Sequence, residues 1–170
     1  ELLLRDPRVD PSADNNYSIQ DASKNGYTQI VNLLLRDSRV DPSANNNFPI
    51  RSASVNGHRE VVELLLQDPR LDPSANNNYA IRFASENGHT DVVELLLRDE
   101  RVDPAGNNNE SIISASANGH IKIVKLLLQD PRVDPSADNN YAIRWAIKND
   151  HVDVVELLLE DPRVSSTYRP

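Results

Sequence analysis

Hydrophobic and polar positions recur along this chain with a fixed spacing. The triplet Leu-Leu-Leu begins at residues 2, 33, 64, 95, 126 and 157, so each step is 31 residues. A polar Asp-Pro pair keeps the same interval, at residues 10, 41, 72, 103 and 134. Self-similarity at a period of this length is typical of stacked repeat proteins, in which each unit is one small supersecondary element.

The unit at residues 72–102 predicts two short helices and a connecting turn. Tyr79–Asn87 reads as the first helix, with Asn78 as a suitable N-cap. Gly88 suits the left-handed residue that closes a helix, and His89–Asp99 reads as the second helix. The Asn-rich stretch before the first helix predicts a turn, because Asn bonds its own backbone and tolerates left-handed geometry.

Each unit carries one apolar stripe per helix. In the third unit we expect these stripes to face each other: Ile81 and Ala84 on the first helix; Val92, Val93, Leu96 and Leu97 on the second. A single unit buries too little apolar surface to fold alone, so the units must stack on their neighbours.

The period divides the chain into one continuous solenoid domain of five full units. We predict a remnant of a preceding repeat at 1–9, repeats at 10–40, 41–71, 72–102, 103–133 and 134–164, and a C-terminal tail at 165–170.

Composition excludes several classes of function. The chain has 18 Lys and Arg against 26 Asp and Glu, a formal net charge of −8. Nucleic-acid binders and proteins that dock on anionic membranes concentrate positive charge, so we expect neither partner. Without cysteine, disulfides and thiolate metal sites are impossible. No long apolar run or signal segment stands out, and we expect an intracellular, cytoplasmic protein.

One string of residues in the third unit resembles a known repeat family. The run from Ala84 through Gly88-His89 to Leu97 is similar to the Ala-Ala-x-x-Gly-His-x-x-Val-Val-x-Leu-Leu-Leu core of an ankyrin repeat. The string recurs around Gly57-His58 and Gly119-His120. This resemblance implies an all-α solenoid of helix-turn-helix units, and a role in binding proteins.

The chain departs from that family in a systematic way. Its unit is two residues shorter than the usual 33, and the missing residues fall in the connector between units. We therefore expect short connecting turns with little or no β-hairpin. Repeat arrays whose first helix begins with residues such as Asn-Asn-Tyr-Ala-Ile-Arg are similar to those of amoeboid protists and giant viruses.

Residue types that could bind a metal or take part in catalysis also recur at fixed positions of the unit, which favours structural roles for them. The four histidines occupy the same position of successive units: His58, His89, His120 and His151. A metal site would need further ligands nearby, and the sequence supplies none. The Asp and Arg pairs two residues apart predict solvated or inter-repeat ion pairs. We expect no catalysis, no cofactor and no metal.

Positions that vary between units indicate the binding surface. One step before the small Ala of the first helix, the units carry Asp21, Ser52, Phe83, Ser114 and Trp145. Three residues further on they carry Lys24, Val55, Glu86, Ala117 and Lys148. At helical spacing these positions share a face with Tyr17, Phe48, Tyr79, Glu110 and Tyr141.

In ankyrin-like stacks this face lines the concave wall, and exposed aromatics there would anchor a protein partner. The candidate protein-binding residues are Tyr79, Phe83, Glu86, Tyr141, Trp145, Lys148, Phe48 and Ser52. Alternatively, Phe83 and Trp145 fill gaps between neighbouring units.

The sequence therefore favours a non-catalytic scaffold that binds a protein or peptide on its concave face. Two alternatives stay open. The last unit keeps Val154, Val155, Leu158 and Leu159 as in interior units, which fits a structural array that stacks end to end. The chain would otherwise be the substrate-recruiting segment of a larger enzyme or ligase adaptor.

Overall fold

The computed structural model describes residues 6 and 8–169, and they form five helix pairs followed by one short helix. The first helices of the pairs are α1 (Ala13–Lys24), α3 (Ala44–Val55), α5 (Ala75–Glu86), α7 (Gly106–Ala117) and α9 (Ala137–Lys148). The second helices are α2 (Thr28–Leu35), α4 (Arg59–Leu66), α6 (Thr90–Leu97), α8 (Ile121–Leu128) and α10 (Val152–Leu159). A single turn, α11 (Pro162–Ser165), follows the last pair.

No strand occurs among these described residues, so the prediction of an all-α fold with short connectors is confirmed. No helix in this part of the chain is long and apolar enough to cross a membrane.

The helix pairs stack in two rows. Each first helix packs against the first helix of the next pair, and each second helix against the next second helix. The first helices contact one another more extensively than the second helices do.

The core runs along the stack between the two rows. In the third pair, Ile81 and Ala84 of α5 are buried against Val92, Val93 and Leu96 of α6, as the sequence predicts. Leu97 lies partly buried at the edge of this cluster. Each connector between helix pairs also buries one apolar residue (Val40, Leu71, Val102 and Val133), and Val164 of α11 occupies the equivalent position.

Each first helix begins with a turn of the opposite hand. Residues 76–78, all Asn, have φ between 57° and 59° and ψ between 39° and 52°, which is left-handed helical geometry. The four other first helices begin with the same turn, built from Asn and Asp. The regular right-handed helix then starts at Tyr79, as predicted. Among L residues, Asn and Asp enter this region most readily, because their short side chains can bond locally.

The role predicted for Asn78 as N-cap of its own helix is wrong. Its side-chain oxygen instead accepts the backbone N–H of Asp103 in the next unit, at 2.8 Å. The same bond joins Asn47 to Asp72, also at 2.8 Å. In the first four units, the third residue of the left-handed turn therefore links one unit to the next.

The repeat boundaries remain a prediction, although the helix pairs fall inside the five expected units. The remnant at 1–9 lies largely outside the described residues, as does Pro170 of the tail.

Candidate binding surface on the first helices

The predicted binding residues, apart from Ser52, lie on the partly or fully exposed faces of α3, α5 and α9. On α5, between the left-handed turn and the C-terminus, buried and exposed positions follow helical spacing. Ala80 and Ile81 are buried, whereas Tyr79 and Phe83 are half-buried and Glu86 is exposed. The predicted face therefore points away from the core.

Two pairs of aromatic rings lie on this face. The rings of Tyr79 and Phe83 stack with centroids 4.0 Å apart, and those of Tyr141 and Trp145 meet edge to face at 5.8 Å. Each pair is four residues apart on one helix, where side chains are neighbours. We call Phe48, Tyr79, Phe83, Tyr141 and Trp145 the aromatic strip.

Cationic side chains lie over these rings. The guanidinium carbon of Arg51 is 5.8 Å from the centroid of Phe48 and 5.1 Å from that of Tyr79 in the next unit. Arg82 lies 5.5 Å from the centroid of Phe83. Such contacts contribute on the order of 0.5–1 kcal/mol each at exposed sites.

The far end of the strip has a similar contact. The Nζ of Lys148 lies 4.1 Å from the ring centroid of Trp145, and the Lys148 side chain is otherwise exposed. Tyr141 keeps 39% of its surface in contact with solvent. This end presents a large polarised aromatic surface, the type of group that dominates protein interfaces.

The fourth unit interrupts the strip with an acid. Glu110 stands where three other units carry Phe48, Tyr79 and Tyr141, and its carboxylate accepts hydrogen bonds from Arg82 and from Asn107. The surface is thus divided into an Arg-rich aromatic cluster on α3 and α5 and a second cluster on α9.

Ser52 does not share this exposure. It is only 7% exposed, and its hydroxyl donates to the carbonyl of Pro49 at 3.1 Å. A partner that lies on the strip gains little contact with this side chain, so we leave Ser52 out of the proposed surface.

Sequence reasoning missed the arginines of this surface. Arg51 and Arg82 each follow an aromatic residue by three positions, and so does Arg144. The rule that residues three apart are neighbours on a helix would have placed them on the strip. The long reach of Arg51 onto Tyr79 in the next unit has no such local signal.

The repeated histidines link neighbouring units instead of forming a site. The Nε2 of His89 lies 2.9 Å from the carbonyl oxygen of Val55, to which it can donate, and the other three histidines make the equivalent contact. Among residues 6 and 8–169, no group of three or more His, Asp or Glu could hold a metal ion.

The Asp and Arg pairs are likewise structural. Arg101 pairs with Asp99 at 2.6 Å and donates a further hydrogen bond to the carbonyl of Leu71, at 3.0 Å, in the preceding unit. The hydrogen bond from Arg101 holds the pKa of Asp99 below its usual value, and the equivalent bond from Arg39 lowers the pKa of Asp37 to about 2. These carboxylates therefore stay charged at neutral pH, as a link between units requires.

Comparison with models of protein families gives matches that cover most of the repeats. The family model described as "Ankyrin repeats (3 copies)" matches the chain three times in overlapping windows, at residues 19–108, 53–139 and 81–167. Together these matches extend from residue 19 to residue 167. A search among curated proteins found no match.

Proposed function

Since the chain belongs to the ankyrin-repeat family, whose members are in general protein–protein interaction modules without catalytic activity, we propose that it binds a protein or peptide partner along the aromatic strip. The partner would lie across the exposed face of the first helices, the face that lines the concave wall in ankyrin-like stacks. No cofactor takes part in this function.

The observation that carries this proposal is the position of the aromatic rings. Phe83 and Trp145 pair with Tyr79 and Tyr141 of their own helices, outside the buried cluster that holds the units together. Rings that the stack does not use for its core supply rigid, amphipathic contact area at a low cost in conformational entropy.

The charges around the rings support the same surface. Arg51, Arg82 and Lys148 lie over the strip in a chain whose formal net charge is −8. Aromatic residues and arginine are the types most enriched among residues that dominate binding energy. A recruiting segment of a larger enzyme would use the same surface, so that alternative differs only in what lies elsewhere in the parent protein.

Selection of peptides from a displayed random library, followed by NMR mapping, tests the proposal. We expect the selected peptides to shift the backbone amide signals of α3, α5 and α9, and to leave the second helices largely unchanged. Shifts confined to α4, α6 and α8 would place the binding surface on the other side of the solenoid and contradict the proposal.

A further inference from the structure

One position of the first helix has a different environment in the last unit. Three residues after the aromatic position, the units carry Gln20, Arg51, Arg82, Ile113 and Arg144. Arg51 donates to the carbonyl of Asn46 at 2.9 Å, and Arg82 to that of Asn76 at 3.3 Å. Both guanidiniums also reach the following unit, Arg51 over Tyr79 and Arg82 to Glu110.

Arg144 has neither kind of contact. It is exposed, and within the described part of the chain it makes no hydrogen bond and no ion pair. In the last unit, the segment that follows α11 lies beside the start of α9, where Asn140 contacts Thr167.

That segment is held in place by specific contacts. Val164 is fully buried, and Tyr168 packs partly against the core. The side-chain amide of Asn140 donates to the hydroxyl of Thr167 at 3.1 Å. In the other units the equivalent Asn instead accepts a hydrogen bond from the backbone N–H of an Asp in the next unit, as Asn78 does from Asp103. Thr167 in turn donates to the carbonyl of Arg163 at 2.7 Å.

Between this segment and α9 lies a cavity of about 640 Å³. Arg144 and Arg169 line it together with hydroxyl and amide groups, among them those of Asn139, Thr167 and Tyr168. None of the lining residues is acidic, although the chain as a whole carries more acids than bases. We call this cavity the arginine pocket.

We propose that the arginine pocket binds a carboxylate side chain of an acidic partner peptide. The guanidinium groups of Arg144 and Arg169 would donate to the two carboxylate oxygens, because the planar fork of arginine matches the geometry of a carboxylate. The amide of Asn139 and the hydroxyl of Tyr168 offer further donors. This inference rests on the proposed function, since Arg144 lies between Tyr141 and Trp145 on the same helix and a peptide on the strip would pass the pocket.

A titration with model peptides tests the pocket without knowledge of the natural partner. The probes are the capped peptides tri-glutamate and tri-glutamine, and inorganic phosphate as a free oxyanion, all at low ionic strength. The readout is the side-chain Nε–Hε signal of each arginine. We expect tri-glutamate to shift the signals of Arg144 and Arg169 saturably, and tri-glutamine to leave them unchanged.

Two variants that each remove one positive charge show whether tri-glutamate binds in the pocket. Arg144→Gln should weaken tri-glutamate binding at least tenfold. Lys125→Gln, which removes the same charge from the exposed face of α8, should leave it within twofold. Because Arg144 makes no contact that the fold needs, the thermal midpoint of Arg144→Gln should stay unchanged.

Two results would overturn the proposal: equal weakening by both variants, or phosphate binding as tightly as tri-glutamate. The first would indicate attraction by overall charge, and the second a general anion site without a preference for peptide. Failure of the proposed function is a separate result, since library peptides would then avoid the strip while tri-glutamate still shifts Arg144.

Discussion

At the residue scale, glycine and histidine form matched pairs across the stack. The ring of His89 packs on Gly57 of the preceding unit, and a Cβ added to Gly57 would lie 2.5 Å from its Nδ1. Gly57 also has φ of +73°, which L side chains rarely adopt. The sequence predicts the left-handed turn but not the close contact, because the histidine that needs the space lies 32 residues away.

The fifth unit differs from the others at the glycine position. Asp150 occupies the glycine position there, with φ of 59°. No histidine from a following unit packs on it among the described residues. Asp is among the L residues that accept this backbone geometry.

Replacement of Gly57 by Ala is therefore expected to destabilise the protein strongly. The left-handed backbone costs roughly 1–2 kcal/mol for an L residue, and the forced displacement of His89 adds about 1–3 kcal/mol. Urea unfolding followed by circular dichroism measures the loss. Asp150→Gly is the control, and it should change the free energy of unfolding by less than about 1 kcal/mol. Equal effects of the two substitutions would show that the histidine contact is unimportant.

At the scale of the element, the first helix was predicted well except for its beginning. The face with Tyr79, Phe83 and Glu86 follows directly from helical spacing, and the structure leaves all three residues partly or fully exposed. The three left-handed Asn residues could not be predicted in the same way. Their geometry is unfavourable within one unit, and the compensating bond from Asn78 to Asp103 exists only between units.

Two substitutions at Asn78 separate these contributions. Asn78→Gly keeps the left-handed backbone accessible but removes the acceptor for the N–H of Asp103, and the loss of this partly buried hydrogen bond costs about 0.5–1.5 kcal/mol. Asn78→Ala adds the conformational cost, roughly 1–2 kcal/mol more. Chemical denaturation of both variants gives the two values.

The matched control for Asn78 is Asn77, which has the same backbone geometry but an exposed side chain. Asn77→Gly should change the free energy of unfolding by no more than about 0.5 kcal/mol. If Asn78→Gly proves as mild as Asn77→Gly, the ladder between units contributes little to the stack.

At the scale of the whole molecule, stability and binding use different surfaces. The stack is held by the buried apolar stripes and by polar bonds that cross from each unit to the next, such as those of His89 and Arg101. The sequence predicts the stripes from their period. It predicts the candidate surface only as a set of variable positions, since burial of a residue such as Ser52 depends on its neighbours in adjacent units.

The last helix pair leaves apolar side chains uncovered. Ile147, Val152 and Leu159 are 42–64% exposed, whereas the next pair shields the equivalent positions of interior units. This surface is what the end-to-end alternative would use.

The central claim is that the aromatic strip serves binding and is not needed for the fold. The double substitution Phe83→Ala and Trp145→Ala tests it, with affinity for a library-selected peptide and the free energy of unfolding measured on the same sample. Leu96→Ala, at a fully buried position, sets the scale for a core residue, about 2–5 kcal/mol.

We predict that the double variant loses at least tenfold in peptide affinity. Its free energy of unfolding should fall by less than about 2 kcal/mol, because only the half-buried ring contacts are lost. A loss of stability as large as that of Leu96→Ala, with peptide affinity retained by the folded fraction, would show that the rings are packing residues and would contradict the account.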